Sequence, residues 1–250
     1  MRYFIELSYN GNGYCGWQGQ PGEPTVQGDL NRALSTLLRR DIAVVGAGRT
    51  DTGVHASFYV AHFDTDTPVD NPDRLVYKLN RLLDRRIAVK RIYPVPDRIH
   101  ARFSALSRTY RYYIDKHKNP FTCSSAWRTW PLPDIERMNE ACRVLFEYED
   151  FTSFSKLHTD ARTNLCTVME ARWEDTGEQL VFTIKANRFL RNMVRAIVGT
   201  LVEVGQGKLT PEDFRRIIES QDRCRAGGSA PGHALFLCNI EYPAGVQPNP

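Results

Sequence analysis

The stretch Gly48-Arg49-Thr50-Asp51-Thr52-Gly53-Val54-His55-Ala56 constrains this chain more than any other. Ile42-Ala43-Val44-Val45-Gly46 runs into it and reads as a strand; Ser57-Phe58-Tyr59-Val60-Ala61-His62-Phe63 leaves it and reads as another. Gly48 and Gly53 bracket the loop between them. Glycine reaches backbone angles closed to other residues, so the loop bends sharply. It carries Arg49 and Asp51, with His55 just after. Loops held on a rigid sheet are where binding and catalytic side chains concentrate.

Three readings of Asp51 compete on local pattern. In the first it is a turn aspartate that bonds its own backbone. In the second, Asp-Thr-Gly marks an aspartic protease, whose chemistry needs two carboxylates sharing a proton. Arg49 speaks against that reading, because it stands where a protease loop of this type is apolar. In the third, Asp51 is a lone catalytic carboxylate steered by an arginine.

Composition narrows the setting. A chain of 250 residues, 42% hydrophobic and 25% charged, suits one large soluble domain or two modest ones. The net charge of +4 does not by itself require a polyanionic partner, but 26 of the 33 basic residues are arginine. The planar guanidinium grips phosphate bidentately and stacks on bases. The six cysteines are scattered, with no C-x-x-C spacing, so neither a metal knuckle nor a stapled secreted scaffold is expected. The first residues read as a strand and not as a signal peptide. The most apolar helix, near 193–204, contains Arg195 and Glu203 and is too short to span a bilayer. A reduced, cytoplasmic protein is the expectation.

Along the chain, Tyr3, Ile5, Leu7 and Tyr9 alternate as one face of a half-buried strand. Tyr14-Cys15-Gly16-Trp17-Gln18-Gly19-Gln20 is a loop whose Trp17 either stacks on a base or caps the core. Thr25 caps a helix with Val26, Leu30, Ala33, Leu34, Leu37 and Leu38 at helical spacing. A second helix is expected over 72–86, with Val76, Leu79, Leu82 and Leu83 inward. Lys78, Arg81, Arg85 and Arg86, with Lys90, Arg91 and Arg98, make the densest basic zone, either a solvated surface or a phosphate-binding wall. His100-Ala101-Arg102-Phe103 precedes a strand, Ser107–Ile114, with Arg108, Tyr110, Tyr112 and Ile114 on one face. After a long connection, Asp134 caps a helix with Ile135, Met138, Ala141, Cys142, Leu145 and Phe146 inward. Leu165–Trp173 and Gln179–Lys185 read as strands. Leu190, Met193, Val194, Ile197, Val198 and Leu201 then stripe a helix on which Arg191 and Arg195, four apart, share a face. A buried arginine there needs a carboxylate, for which Asp51 is a candidate, unless its head reaches solvent. Thr210-Pro211-Glu212-Asp213 opens another helix, and a last strand runs from about Leu235 to Tyr242.

Taken together, Tyr9-Asn10-Gly11, Gly16-Trp17-Gln18, Thr25-Val26-Gln27, Gly48-Arg49-Thr50-Asp51-Thr52-Gly53-Val54-His55, His100-Ala101-Arg102-Phe103, Arg108-Thr109-Tyr110-Arg111-Tyr112, Phe189–Arg195 and Val198-Gly199-Thr200-Leu201 resemble the TruA-type tRNA pseudouridine synthases over nearly the whole length. Two stretches depart from that family's pattern: Ala56-Ser57-Phe58-Tyr59, and Ala230-Pro231-Gly232-His233-Ala234-Leu235.

The resemblance implies an α+β fold: two similar α/β halves share a mostly antiparallel central sheet with flanking helices, and the active-site cleft lies between the halves. The halves would be 1–106 and 107–242, with 243–250 a disordered tail. It implies a cofactor-free, metal-free isomerase that converts uridine to pseudouridine at positions 38, 39 and 40 of the tRNA anticodon stem-loop. A homodimer that also touches the tRNA elbow is implied, with no membrane partner. Asp51 would be the catalytic carboxylate, attacking the ribose, adding to the ring or removing a ribose proton. Tyr110 would stack on the flipped uracil and move a proton late in the reaction. Arg195 would pair with Asp51, and Arg49 would fill the vacated space or grip a flanking phosphate. Gln18, His55, Lys78, Arg81, Arg102, Arg108 and Arg191 complete the expected RNA contacts. The rival from another class is a non-catalytic RNA-binding protein that keeps the fold.

Overall fold

Strand alternation and helical stripes translate into thirteen regular elements in the computed structural model, which describes residues 1–156 and 163–246. In chain order these are β1 (Arg2–Tyr9), α1 (Val26–Leu38), β2 (Val45–Gly46), β3 (His55–Asp64), α2 (Pro72–Leu82), β4 (Ile87–Val95), β5 (Ser107–Asp115), α3 (Ile135–Val144), β6 (Val168–Asp175), β7 (Gln179–Ala186), α4 (Met193–Gly205), α5 (Pro211–Glu219) and β8 (Leu235–Glu241). The class is α+β with mostly antiparallel pairing. Two compact units form: Met1–Leu106 with Leu237–Pro250, and Ser107–Phe236. The segment from Leu237 onward, expected in the second half, therefore belongs with the first.

In the first unit β1 lies between β3 and β4 and is antiparallel to both; Ile5 faces Ala61 on one side and Ile92 on the other. β2 and β8 lie beside β3. β1 is buried on both faces, not half-buried as its alternation suggested. Phe4 has no exposed surface and meets the Tyr242 ring edge-on at 5.1 Å. Glu6, 1% exposed, accepts from Arg91 Nε at 2.9 Å and from the Tyr93 hydroxyl at 2.9 Å, so the buried carboxylate keeps its partners. The strand expected over 42–46 pairs only at Val45 and Gly46. Side chains of α1 take most of its other backbone bonds: Val44 N–H donates to Asn31 Oδ1 at 2.9 Å and Ile42 N–H to Ser35 Oγ at 2.9 Å.

Helix α1 is capped by Thr25, as its sequence indicates. Helix α2 ends at Leu82, short of the expected residue 86, because Asp84 turns the chain: Arg86 N–H donates to Asp84 Oδ1 at 2.8 Å. It buries Leu75 and Leu79, one turn apart, and leaves Leu82 half exposed. Sequence reading missed β4, whose buried Ile87, Val89, Ile92 and Val95 are interrupted by Lys90, Arg91 and Pro94.

In the second unit β7 sits between β5 and β6, antiparallel to each, with Tyr110 opposite Ile184. β6 begins at Val168, not Leu165, which makes only an isolated bridge to Asp150. Helix α4 is buried along nearly all of its length. A Cβ on Gly205 would stand 2.9 Å from Met138, so α3 and α4 approach where only glycine fits. Asp134 caps α3, but Phe146, expected inward, lies past the helix end and is half exposed. The tail expected to be disordered from 243 instead makes a turn at 243–246, with Val246 N–H bonded to Pro243 O at 3.2 Å; its last four residues lie outside the described ones. Among the described residues no helix is long and apolar enough to cross a membrane.

Candidate active site

The loop between β2 and β3 is clamped from below by the 10–18 loop. Thr50 Oγ1 meets the Tyr9 hydroxyl at 2.9 Å, and Thr50 O accepts from Trp17 N–H at 3.2 Å. Gly16 has φ +88°, and a Cβ there would lie 2.3 Å from Thr50 O. Only glycine satisfies both the angle and the space. Asp51 to Val54 closes a turn, Val54 N–H donating to Asp51 O at 3.1 Å, with Gly53 at φ +77° in the third position, where such turns need it. The turn presents the half-buried Asp51 beside exposed Arg49 and Thr52.

Aromatic packing stiffens this base. Trp17 is 1% exposed and stacks on Tyr59 at 4.1 Å, so it caps the core and is not a base platform. The Arg86 guanidinium lies 4.5 Å over the Tyr14 ring and donates to Asn12 O at 2.8 Å. It also pairs with Asp84, whose carboxyl it draws down to about 2. Arg86 therefore serves the loop and not a phosphate wall.

The predicted first-unit residues do not all gather here. Gln18 and Arg49 meet, Arg49 Nε donating to Gln18 Oε1 at 3.2 Å, both exposed. His55 does not fit its expected RNA role. It is 1% exposed, and Nδ1 accepts the Gly11 N–H at 3.0 Å, so it braces the 10–18 loop. A backbone N–H can only donate, so a neutral His55 ring carries its proton on Nε2. Lys78 and Arg81 are exposed on α2, with Arg81 Nη1 donating to the Tyr77 hydroxyl at 3.2 Å. Arg102 is exposed, its backbone N–H bonded to His100 Nδ1 at 3.0 Å.

The second unit assembles its own group. Tyr110 is half-buried on β5 and meets the Phe189 ring edge-on at 5.2 Å, which fixes the plane of its phenol. Arg108, one alternation earlier on the same face, donates from Nη1 to Asn187 O at 2.9 Å. Arg195 lies in the first turn of α4, half-buried, with Nε donating to Ala230 O at 2.7 Å. Arg191 does not share that helix as expected. The helix starts at Met193 after Asn192 at φ +67°, which leaves Arg191 in the preceding loop, exposed. Sequence reading missed Phe189, Ala230 and Tyr112 as supports; the last is fully buried and donates to Pro231 O at 2.9 Å. Burial pushes the Tyr112 phenol up, opposed by the positive charge of Arg195. Two surface hollows, one beside Asp29 and Leu82 and one beside Leu209 and Arg225, contain none of these residues. Among the described residues no group of three or more His, Cys, Asp or Glu could hold a metal ion.

An α+β chain with a glycine-clamped acidic loop in one unit and a braced Tyr and Arg in the other defines a class that comparison with known proteins resolves. The profile of the family described as tRNA pseudouridine synthase matches residues 7–104 and 141–243. The tRNA pseudouridine synthase A of Parabacteroides distasonis is 55% identical over 99% of this chain and 98% of its own. That of Bacteroides thetaiotaomicron is 58% identical over 98% and 92%, and that of Bacillus subtilis 41% over 97% and 99%. The chain belongs to the tRNA pseudouridine synthase family and is an isomerase.

Proposed function

We propose that this chain isomerises uridine to pseudouridine in tRNA, at positions 38, 39 and 40 of the anticodon stem-loop, with Asp51 as the catalytic carboxylate. In that reaction the bond from ribose to N1 of the uracil breaks, the base turns, and C5 bonds to the ribose carbon. The C5 proton leaves and N1 ends protonated, so no electrons are lost or gained. A stacked uridine is out of reach and must first be flipped, at a cost of about a few kcal/mol. Tyr110 stacks on the everted ring and moves the late proton, and Arg195 carries the countercharge that favours an ionised carboxylate. Arg49, with Gln18 beside it, meets the flanking backbone. Arg102, Arg108, Arg191, Lys78 and Arg81 supply further phosphate contacts, and the enzyme works as a cytoplasmic homodimer.

The observation that carries the reading is the setting of Asp51: a carboxylate half-buried at the tip of a loop that Gly16, Thr50 and Tyr9 hold in place, in a member of this family. A loop clamped so closely suits a preorganised reacting group. The test is incubation with unmodified tRNA followed by chemical mapping of pseudouridine. Conversion confined to positions 38–40 is expected. Conversion elsewhere overturns the site assignment, and none at all overturns the activity. Light scattering is expected to give twice the chain mass, and a monomer would remove the dimer.

A further inference from the structure

We infer that the segment 226–231 is a positioning device for Arg195, admitted by Gly199 and pinned by Thr200. The inference rests on the proposed role of Arg195. The segment crosses α4 at a distance only glycine permits: a Cβ on Gly199 would lie 1.8 Å from Gly228 O. One residue further along the helix, buried Thr200 accepts the Gly227 N–H on Oγ1 at 3.0 Å and donates to Ala196 O at 2.9 Å. Its hydroxyl is thus held by the helix while it holds the segment. Three residues on, the segment and Arg195 bond twice. Ala230 N–H donates to Arg195 O at 2.9 Å, and Ala230 O accepts from Arg195 Nε at 2.7 Å. Beyond that the Tyr112 hydroxyl takes Pro231 O.

The side-chain bond is the informative one. A guanidinium on a flexible stem samples many rotamers, and one fixed acceptor on Nε selects among them. Ala230 O serves as that acceptor, and its position is set by Thr200 on one side and Tyr112 on the other. Neither residue needs to touch substrate.

Two independent pins allow a test that survives the failure of either variant. Thr200→Val removes the acceptor for Gly227 N–H at nearly constant volume, Tyr112→Phe removes the donor to Pro231 O, and Thr200→Ser restores the hydroxyl. Single-turnover pseudouridine formation is expected to fall about ten- to a hundredfold in the Val and Phe variants. Their tRNA affinity should stay within about twofold, and the Ser variant should keep the wild-type rate within about threefold. A wild-type rate in a folded Val or Phe variant, or a loss confined to affinity, overturns the inference. So does a Ser variant as slow as the Val variant. Solvent exchange of the Arg195 Nε proton, followed by NMR without RNA, tests the device separately from the activity: slow in wild type, faster in Thr200→Val. Fast exchange in wild type refutes the device. If wild type makes no pseudouridine while that proton is protected, the functional reading fails and the positioning stands.

Discussion

Gly16 and Asp51 are thirty-five positions apart and act as one feature, because the glycine is what lets the Thr50 carbonyl settle beneath the loop. A methyl group at Gly16 would meet that carbonyl and also occupy a left-handed backbone angle. The account predicts that Gly16→Ala lowers kcat about a hundredfold, with tRNA affinity nearly kept, since a displacement on the order of 1 Å at a reacting group has that effect. Steady-state kinetics with a parallel binding assay would show it. Another residue ties the fold to pH. His62 is 3% exposed, accepts the Ala101 N–H at 3.2 Å, and lies 4.6 Å from the His100 ring. Burial first, then the charges of Arg2 and His100, push it down to about 4. The unfolded histidine, at about 6.5, therefore binds a proton before the folded one does. The stability that His62 contributes should be lost as pH drops from about 6.5 to about 4, on the order of 3 kcal/mol, and the contribution of Asp84 only below that. Urea unfolding across that range should show this slope, and His62→Gln should reduce it, leaving the smaller part that burial of His100 contributes. At this scale the sequence exposed the acidic loop and the arginines, but not what braces them. His55 reads like any loop histidine until Gly11 is seen to donate to it, and Trp17 reads as well for a base platform as for a core lid.

Elements were legible where a single signal dominated. Thr25 before an apolar stripe, Asp134 before another, and Thr210 with Asp213 in a reciprocal cap each started a helix where expected. They were illegible where a side chain replaced a backbone partner. The 42–46 segment looks like a strand by composition, yet Asn31, Ser35 and Gln27 of α1 take most of its bonds. Helix α4 begins two residues after Arg191, although the apolar spacing continues back through Leu190, because Asn192 adopts a left-handed angle. The Asp-Thr-Gly triplet recurs at Asp175–Gly177, where it turns the β6–β7 hairpin and Asp175 pairs with Lys116 at 2.8 Å. The same three residues thus serve two ends, and only their supports separate them. The same substitution of side chain for backbone occurs on β6, where Asn139 of α3 donates to Trp173 O at 3.0 Å and accepts Trp173 N–H at 2.7 Å. Asn139→Ala strands both groups. A loss of about 1–3 kcal/mol is expected, lowering the melting temperature by about 2–4 °C per kcal/mol, with kcat/KM unchanged. Calorimetry and kinetics on the same preparation would check both halves of that statement.

Across the whole molecule, the candidate residues are divided between two compact units, with Asp51, Arg49 and Gln18 in one and Tyr110, Arg108 and Arg195 in the other. Each unit braces its own set by local hydrogen bonds and ring contacts. The basic zone that looked continuous in sequence is not one surface of free cations. Arg86 is engaged with Asp84 and Tyr14, Arg91 with buried Glu6, and Lys90 with Ser57 O, while Lys78, Arg81, Arg85 and Arg98 are exposed. The most direct test of the account is pseudouridine formation by Asp51→Asn on unmodified tRNA, measured with the affinity of the same variant for that RNA. Loss of product below detection, with affinity within about threefold of wild type, is predicted. Product at the wild-type rate would contradict it.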